Sequence, residues 1–478
     1  MSHNLSLDYY EEGLKKLSDN ENHNAITLFL ESFKLSKEKN YECLFCLGIA
    51  YENLREFKKA EIYYIMYIKL NTAELKGWIN LANLYYQSNS YDQAIETFNL
   101  ALRSCGTDES LCIGLAEIQI KKGLFNDAYN TYLKIEDKIK NNIDAIKSFV
   151  FIYQMLDMYG EAVNLLEEFL INNPHLEQSE IDNLKMVLGW LYLKTENYVE
   201  GFALVERRWD LKSDKYILPF DKSYKWDGKK DLTGKTIIIV WEQGLGDTIQ
   251  FSRFVNYIDA ISINIYIFCQ DELYEIFKIS FPNINISKNI NDLPRFDYFI
   301  PIMSIPFLFG INVHSYNFVQ YLKPTYYKGR ASKSIGIAWE GNKSSFNDQC
   351  RSIEFDLIKK HLLIDKSFHW HCLQYGFDDL QSIFDSLLPK KLDFLDLANL
   401  ILKFDLVITV DTSVAHLAGA IGMPTWLLLP KNSCWRWGKS EKTTFWYNNI
   451  KIFKQKVLND WDSVLKDVLI ELNKLYYK

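Results

Sequence analysis

The chain has 478 residues, 48% of them hydrophobic, and a formal net charge of −7. That is room for roughly two to four domains with ordinary packed cores, and the acidic balance disfavours a general nucleic-acid binder. No apolar run approaches the roughly 18 residues of a membrane span, and the charged stretch from Met1 to Lys16 has no apolar centre of a secretory signal. The eight cysteines are scattered, and only Cys43 and Cys46 form a CxxC, with no second pair to complete a zinc site. Both fall on an apolar helical face, where thiols pack as small hydrophobes. A reduced, cytoplasmic protein is expected.

The first half repeats itself. Gly13, Gly48, Ala82, Ala116 and Val150 fall in register, as do Ala25, Ala60, Ala94, Ala128 and Ala162, the alanines being 35, 34, 34 and 34 residues apart. Aromatic residues recur in phase, with Tyr51, Tyr85 and Tyr153 in the first helices and Phe29, Tyr64, Phe98 and Tyr132 in the second. Small residues let two helices approach, and large ones fill the space between. The period is that of a helix–turn–helix repeat of about 34 residues. The array resembles tetratricopeptide repeats, with Trp78-x-x-Leu81-Ala82-x-x-Tyr85 its clearest copy. A sixth, degenerate copy spans Asp182 to Trp209, with Gly189, Tyr192 and Gly201, set off by an insertion at Asn173-Pro174-His175. Such arrays stack into a superhelix with a concave face, which serves either as a scaffold or as a groove for an acceptor.

The pattern turns strand-like after a polar, aromatic linker, Leu211 to Thr233, in which Lys225-Trp226-Asp227-Gly228 reads as a turn. Thr236 to Val240 is a buried parallel strand. It runs into Trp241-Glu242-Gln243-Gly244-Leu245-Gly246-Asp247-Thr248 and then a helix carrying Ile249, Phe251, Phe254 and Val255. The two glycines are expected to let the backbone turn sharply and a ligand come close. Asp247 then stands at a helix N-terminus on the carboxyl edge of a sheet, where α/β proteins place their chemistry. A strand from Ile263 to Phe268, a helix from Asp271 to Ile279, and short strands at Ile284–Ile286 and Tyr298–Pro301 complete a doubly wound lobe. A basic link, Lys323 to Ser334 with Lys328, Arg330 and Lys333, leads to a second lobe.

That lobe opens with a strand from Ser334 to Trp339 and a glycine-rich loop from Glu340 to Ser352, in which Asn342, Lys343 and Arg351 stand near a strand end. The loop is either an anion binder or a solvated turn. Helix Glu354 to Leu362 and a strand bearing His369, His371 and Cys372 follow. The two histidines share a strand face without a carboxylate at defined spacing, which favours hydrogen bonding over metal ligation. The strand from Phe404 to Asp411 leads into Thr412-Ser413-Val414-Ala415-His416. Thr412 is a favoured N-cap, and free N–H groups at a helix start form an anion site. His416 lies one turn in, on the side of Thr412. The stretch is a diphosphate cradle or simply a capped helix. Asp460-Trp461-Asp462 reads as the capped start of a last helix.

The Gly-Leu-Gly-Asp turn at Gly244 to Asp247, the Gly-Asn loop with Arg351-Ser352, and Asp411-Thr-Ser-Val-Ala-His416-Leu-Ala-Gly together resemble glycosyltransferase family 9, the heptosyltransferase-like enzymes, in the bacterial branch with an N-terminal tetratricopeptide array. Trp226-Asp-Gly228 and the stretch Leu428-Leu-Pro430 … Cys434-Trp435-Arg436-Trp437 fit that branch as well. The resemblance implies a multidomain chain: an all-α tetratricopeptide superhelix over residues 1–214, then a GT-B type α/β fold of two Rossmann-like lobes, 215–330 and 331–478, the latter binding the nucleotide sugar. It implies inversion at the anomeric carbon, with no metal and no cofactor. Asp247 aligns with the catalytic aspartate. Asp411, Thr412 and His416 align with the donor motif, which here has Ser413 where the heptosyltransferases usually carry glycine. Lys343 or Arg351 matches the cation of the second-lobe loop.

The chemistry agrees with that alignment. An inverting transfer needs a base for the acceptor hydroxyl and fixed positive groups for the departing diphosphate. The expected donor contacts are Gly244, Gly246, Asn342, Lys343, Arg351, Asp411, Thr412, Ser413 and His416. The expected partners are a nucleotide-sugar donor, a protein acceptor held by the repeat groove and a second copy of the chain, with no nucleic acid. The competing readings are a tetratricopeptide adaptor whose α/β half is a non-catalytic remnant, and a transferase acting on a glycolipid.

Overall fold

The structure, a computed structural model, describes residues 2–476 apart from 38, 212–218, 260–263, 312, 314–319, 326–331, 344–347, 376, 378–379 and 389–391. Part of the linker, Ile263, Lys328 and Arg330 of the basic link, and Ser344 to Asn347 of the second-lobe loop therefore lie outside the described residues. The chain forms two compact units, Met1–Asn173 and Pro174–Lys478.

The first unit holds five helix pairs: α1 (Ser2–Ser18) with α2 (Asn22–Leu35), α3 (Glu42–Asn53) with α4 (Phe57–Leu70), α5 (Leu75–Gln87) with α6 (Tyr91–Cys105), α7 (Glu109–Lys121) with α8 (Phe125–Leu133), and α9 (Ile143–Met155) with α10 (Tyr159–Asn172). The sequence periodicity has a direct physical cause. A Cβ at Gly13 would lie 2.7 Å from the ring of Phe29, and one at Gly48 only 2.4 Å from Tyr64. In the first two pairs the small residue of the first helix thus seats the aromatic of its partner. All five aligned alanines are fully buried. The turn inside each pair adds a second periodicity: Asn20, Arg55, Asn89, Gly123 and Asp157 all adopt positive φ. Cys43 and Cys46 pack as expected, and burial pushes the Cys46 thiol up to about 11.

The sixth pair, α11 (Gln178–Lys194) and α12 (Tyr198–Val205), carries the same turn, with Glu196 at positive φ. It belongs to the second unit, so the compact division falls at Asn173/Pro174 rather than at the expected 214. The reason is packing. Leu193, Tyr198, Phe202 and Val205 share one hydrophobic core with Ile249, Phe251, Phe254, Trp435 and Trp446 of the α/β lobes.

The first lobe has a four-stranded parallel sheet in the order β3-β2-β1-β4. Its elements in chain order are β1 (Thr236–Val240), α13 (Leu245–Ser252), α14 (Val255–Asp259), β2 (Asn264–Phe268), α15 (Tyr274–Ser280), β3 (Asn285–Ser287), β4 (Tyr298–Pro301) and α16 (Ile305–Leu308). The second lobe comprises β5 (Ser334–Ala338), α17 (Asp348–Arg351), α18 (Phe355–His361), β6 (His369–Cys372), α19 (Phe394–Ile401), β7 (Leu406–Val410), α20 (Ser413–Ala420), β8 (Thr425–Leu429), β9 (Thr443–Thr444), β10 (Tyr447–Lys454) and α21 (Trp461–Tyr476). Its sheet order is β6-β5-β7-β8-β10-β9, parallel except at β9. β5, β7 and β8 are buried along their whole length, as continuous apolar runs under helices on both faces require. Asp460 caps α21 through the Ser463 N–H at 3.1 Å, and Asp462 pairs with Lys360 and His361. His371 sits between the Ser334 and Ser386 hydroxyls at 2.8 and 2.7 Å, a hydrogen-bonding role.

Candidate active site

The two lobes meet where α13 and α20 begin. β1 delivers the chain to the first of these helices through a sharp turn, but the glycines do not make it. The left-handed residue is Gln243, at φ 60°, whereas Gly244 is extended at φ −90° and ψ 170°. Gly246 has a different reason to be glycine. A Cβ there would lie 2.8 Å from Cδ2 of His416 and 3.6 Å from the Ser413 backbone. The close approach is between helices of opposite lobes.

Gly244 is the N-cap residue of α13, so Asp247 occupies the third helical position rather than the cap. Its Oδ2 accepts the Gly244 N–H at 3.0 Å, the back-reaching half of a capping box. Its other oxygen, Oδ1, forms an ion pair with the Arg436 guanidinium, the two side chains being only 16% and 15% exposed. Arg436 comes from the Trp435–Trp437 turn of the second lobe. It also donates to Gln243 Oε1 at 3.1 Å and lies over the Trp435 ring.

On the second lobe, Thr412 is the N-cap residue of α20, as expected, but its hydroxyl turns to Thr409 Oγ1 at 3.2 Å and provides no side-chain cap. Ser413 opens the helix, half-buried. Burial raises the Asp411 carboxyl, with the neighbouring Trp437 indole, Arg351 and Arg436 opposing and Asp247 adding to the rise. Arg351 donates to the Asp411 carbonyl at 2.9 Å and approaches Asp348 at 3.3 Å. Gly341 makes room for it, since a Cβ there would fall 2.6 Å from the guanidinium. Of the two cations considered for the loop, Arg351 is therefore the one beside Asp411. Lys343 is 78% exposed and faces Glu340 at 3.6 Å, with Asn342 exposed beside it.

His416 is 3% exposed. Its Nδ1 meets the Tyr447 hydroxyl at 3.0 Å and its ring stacks on Trp437 at 4.6 Å. Burial, then Arg436 and Arg253, holds the imidazole well below its ordinary range, so it is neutral. It packs the lobe junction, with Nε2 towards Gly246. A cavity of about 250 Å³ near the far end of α20 is lined by Gln320, Gly419, Gly422, Trp446 and Tyr447 among others, and by none of Asp247, Arg351, Asp411, Ser413, His416 and Arg436.

Three supports escaped sequence reasoning. Lys194 of α11, 4% exposed, donates to the Ser433 carbonyl at 2.7 Å, the Ser433 hydroxyl at 3.1 Å and the Gly438 carbonyl at 3.4 Å, which brackets the turn carrying Arg436. Arg208, fully buried, grips Glu242 through two 3.0 Å bonds, and Glu242 in turn accepts the Met303 N–H, which fixes the approach to the Asp247 turn. Arg253 of the first lobe donates to the Trp446 carbonyl of the second at 2.7 Å. A helical-repeat lysine and arginine that break an apolar pattern were the available signal.

Residues 373–445, which include β7, α20 and the Arg436 turn, match the family model described as glycosyltransferase family 9 (heptosyltransferase). Protein FlbA of Caulobacter vibrioides is 24% identical over 447 residues, 84% of this chain and 73% of that protein. Among solved structures the chain is similar to YrrB, described as a TPR protein with an unusual peptide-binding site, with 18% identity, a TM-score of 0.33, and 39% of this chain and 93% of that one covered. It is also similar to MamA, with 19% identity, a TM-score of 0.32, and 36% and 92% covered. Among the described residues no helix is long and apolar enough to cross a membrane. The matched segment lies in the second α/β lobe and is similar to glycosyltransferase family 9, and the helical array that precedes it in the chain has the repeat period of tetratricopeptide proteins.

Proposed function

We propose that the chain transfers a sugar, with inversion, from a nucleotide-sugar donor to a protein acceptor in the cytoplasm. The observation that carries this reading is the convergence of Asp247 on one lobe with the uncapped start of α20, Arg351 and Arg436 on the other. Asp247 takes the proton of the acceptor hydroxyl as that oxygen attacks the anomeric carbon. The diphosphate leaves toward helix N–H groups and guanidiniums, which take up its charge without a metal or cofactor. A protein acceptor is supported by the first unit, where α4, α5 and α6 enclose an apolar hollow of about 320 Å³. Ile65, Ile68, Trp78, Leu81, Tyr85 and Leu100 line it, with Lys69 and Glu96 among its polar residues. That shape and polarity suit a peptide side chain.

The test is donor turnover. Purified chain is incubated with a panel of nucleotide sugars, with and without cell extract as acceptor. Wild type should release a nucleoside diphosphate, and Asp247→Asn should slow transfer by about 10²–10⁴-fold. No turnover of any donor would sink the proposal.

A further inference from the structure

We infer that Arg436 is a donor-binding residue for this transfer and that it masks Asp247 until the donor diphosphate draws it away. The inference rests on the glycosyltransferase reading above. It is carried by the way the second lobe's cations are engaged. Arg351 is committed to a backbone carbonyl and the Asp348 carboxylate, and Lys343 is largely in solvent. Arg436 instead reaches across to Asp247 and Gln243 of the other lobe, at the point where the starts of α13 and α20 come together. Its Nε is a buried donor with no hydrogen-bond partner among the described residues. A buried donor without an acceptor is costly, and phosphate oxygens are acceptors that a guanidinium matches in shape and charge. The turn is braced at both ends by Lys194 and its guanidinium lies over Trp435, so the cation is preorganised.

Masking follows from the carboxylate's own bonds. Oδ2 is committed to Gly244, and the remaining oxygen faces Arg436. An acceptor hydroxyl therefore competes with the guanidinium for Asp247. When a donor diphosphate takes Arg436, the carboxylate becomes available. The acceptor oxygen then bonds to the anomeric carbon and its proton passes to Asp247. The bond from that carbon to the diphosphate oxygen breaks, and the electron pair leaves with the diphosphate beside Arg436. Donor must bind before acceptor.

Calorimetry on the full chain with ADP, CDP, GDP, UDP and TDP tests this, with melting curves as a folding control. For whichever diphosphate binds wild type, Arg436→Gln should weaken affinity at least about tenfold, and Arg436→Lys should weaken it less. Asp247→Asn should bind the same diphosphate as tightly as wild type or more tightly, because Arg436 loses its competitor. A merely structural Arg436 does not predict that tightening. Equal affinity in wild type and Arg436→Gln, or an Asp247→Asn variant weakened as much as Arg436→Gln, overturns the inference. If wild type binds none of the five, the failure lies in the wild-type arm and removes the glycosyltransferase reading itself. Should Arg436→Gln not fold, Arg436→Lys and Asp247→Asn decide the matter.

Discussion

Lys194→Met tests whether the sixth helix pair is a structural part of the transferase. Methionine keeps most of the apolar stem and removes the ammonium. The ammonium makes two close bonds, at 2.7 and 3.1 Å, and a longer one at 3.4 Å, all from a side chain almost wholly out of solvent. Hydrogen bonds to charged groups contribute roughly 1.5–3 kcal/mol each. Losing them also strands the Ser433 and Gly438 carbonyls, while the relief of no longer desolvating a cation offsets part of the sum. A net loss of about 2–4 kcal/mol is expected. At roughly 2–4 °C per kcal/mol for domains of a few hundred residues, that is a fall of about 4–16 °C in melting temperature. The assay is hydrogen exchange on the full chain, read at the amides of residues 433–438, together with thermal melting. Lys343→Met, at a side chain 78% exposed, is the control and should change little. Exchange in 433–438 should quicken in Lys194→Met alone. If Lys194→Met costs less than about 0.5 kcal/mol and leaves loop exchange unchanged, the ammonium is not what fastens the loop.

Three other outcomes follow from the same packing. Gly246→Ala, which sets a methyl 2.8 Å from His416, should cost about 1–3 kcal/mol in chemical unfolding, whereas Gly244→Ala, with its nearest atom at 3.4 Å and an ordinary φ, should cost less than about 1 kcal/mol; equal costs would refute the interlobe contact. A chain of residues 174–478 should melt cooperatively and stay monodisperse on a sizing column, while 211–478 should aggregate through the surface left by Leu193, Tyr198, Phe202 and Val205, and matching melting curves for the two would show that α11 and α12 are dispensable. Stability should also fall on acidification. The folded His416 imidazole titrates below its unfolded value of about 6.5, so its contribution is complete above that pH and declines below it, at about 1.4 kcal/mol per pH unit, with His371 lowered by burial in the same direction. His416→Gln should flatten the slope between pH 6 and 5, and an unchanged slope in denaturant titrations would show that His416 is not held neutral.

The array was legible because its repeats bury an alanine at one period and, in the first two, set a glycine against an aromatic ring. Gly48 against Tyr64 is a small–large pair whose partners lie a fixed distance apart in sequence, so period and packing coincide. The strands were legible because parallel strands covered on both faces must be continuously apolar, as β5, β7 and β8 are. The candidate site was legible only as separate pieces. Asp247, Asp411, Ser413, His416 and Arg351 do come together, but what each does depends on partners far along the chain. Nothing near Gly246 in sequence announces His416 as the reason for the glycine, and nothing near Asp247 announces Arg436. The turn glycines were visible and their purpose was not, because the strained residue is Gln243, whose side chain accepts from Arg436 and so ties the positive φ to the second lobe. The contact division at Asn173/Pro174 has the same cause. α11 and α12 have the sequence of a repeat and the packing of a transferase.

Asp247 shows how local and distant constraints divide the work at one carboxylate. Its own helix sets its direction, because the bond from Gly244 holds Oδ2 and fixes the plane of the group. The other lobe sets its accessibility, because Arg436 faces Oδ1 and is carried on a turn braced by Lys194. The first constraint survives any motion of the lobes, since it closes within a single helical turn. The second does not, since it spans the junction at which Gly246 and His416 are in contact. A shift of α20 against α13 therefore changes what Asp247 meets without changing where it points. Direction that persists while access varies suits the role of proton acceptor proposed above for Asp247.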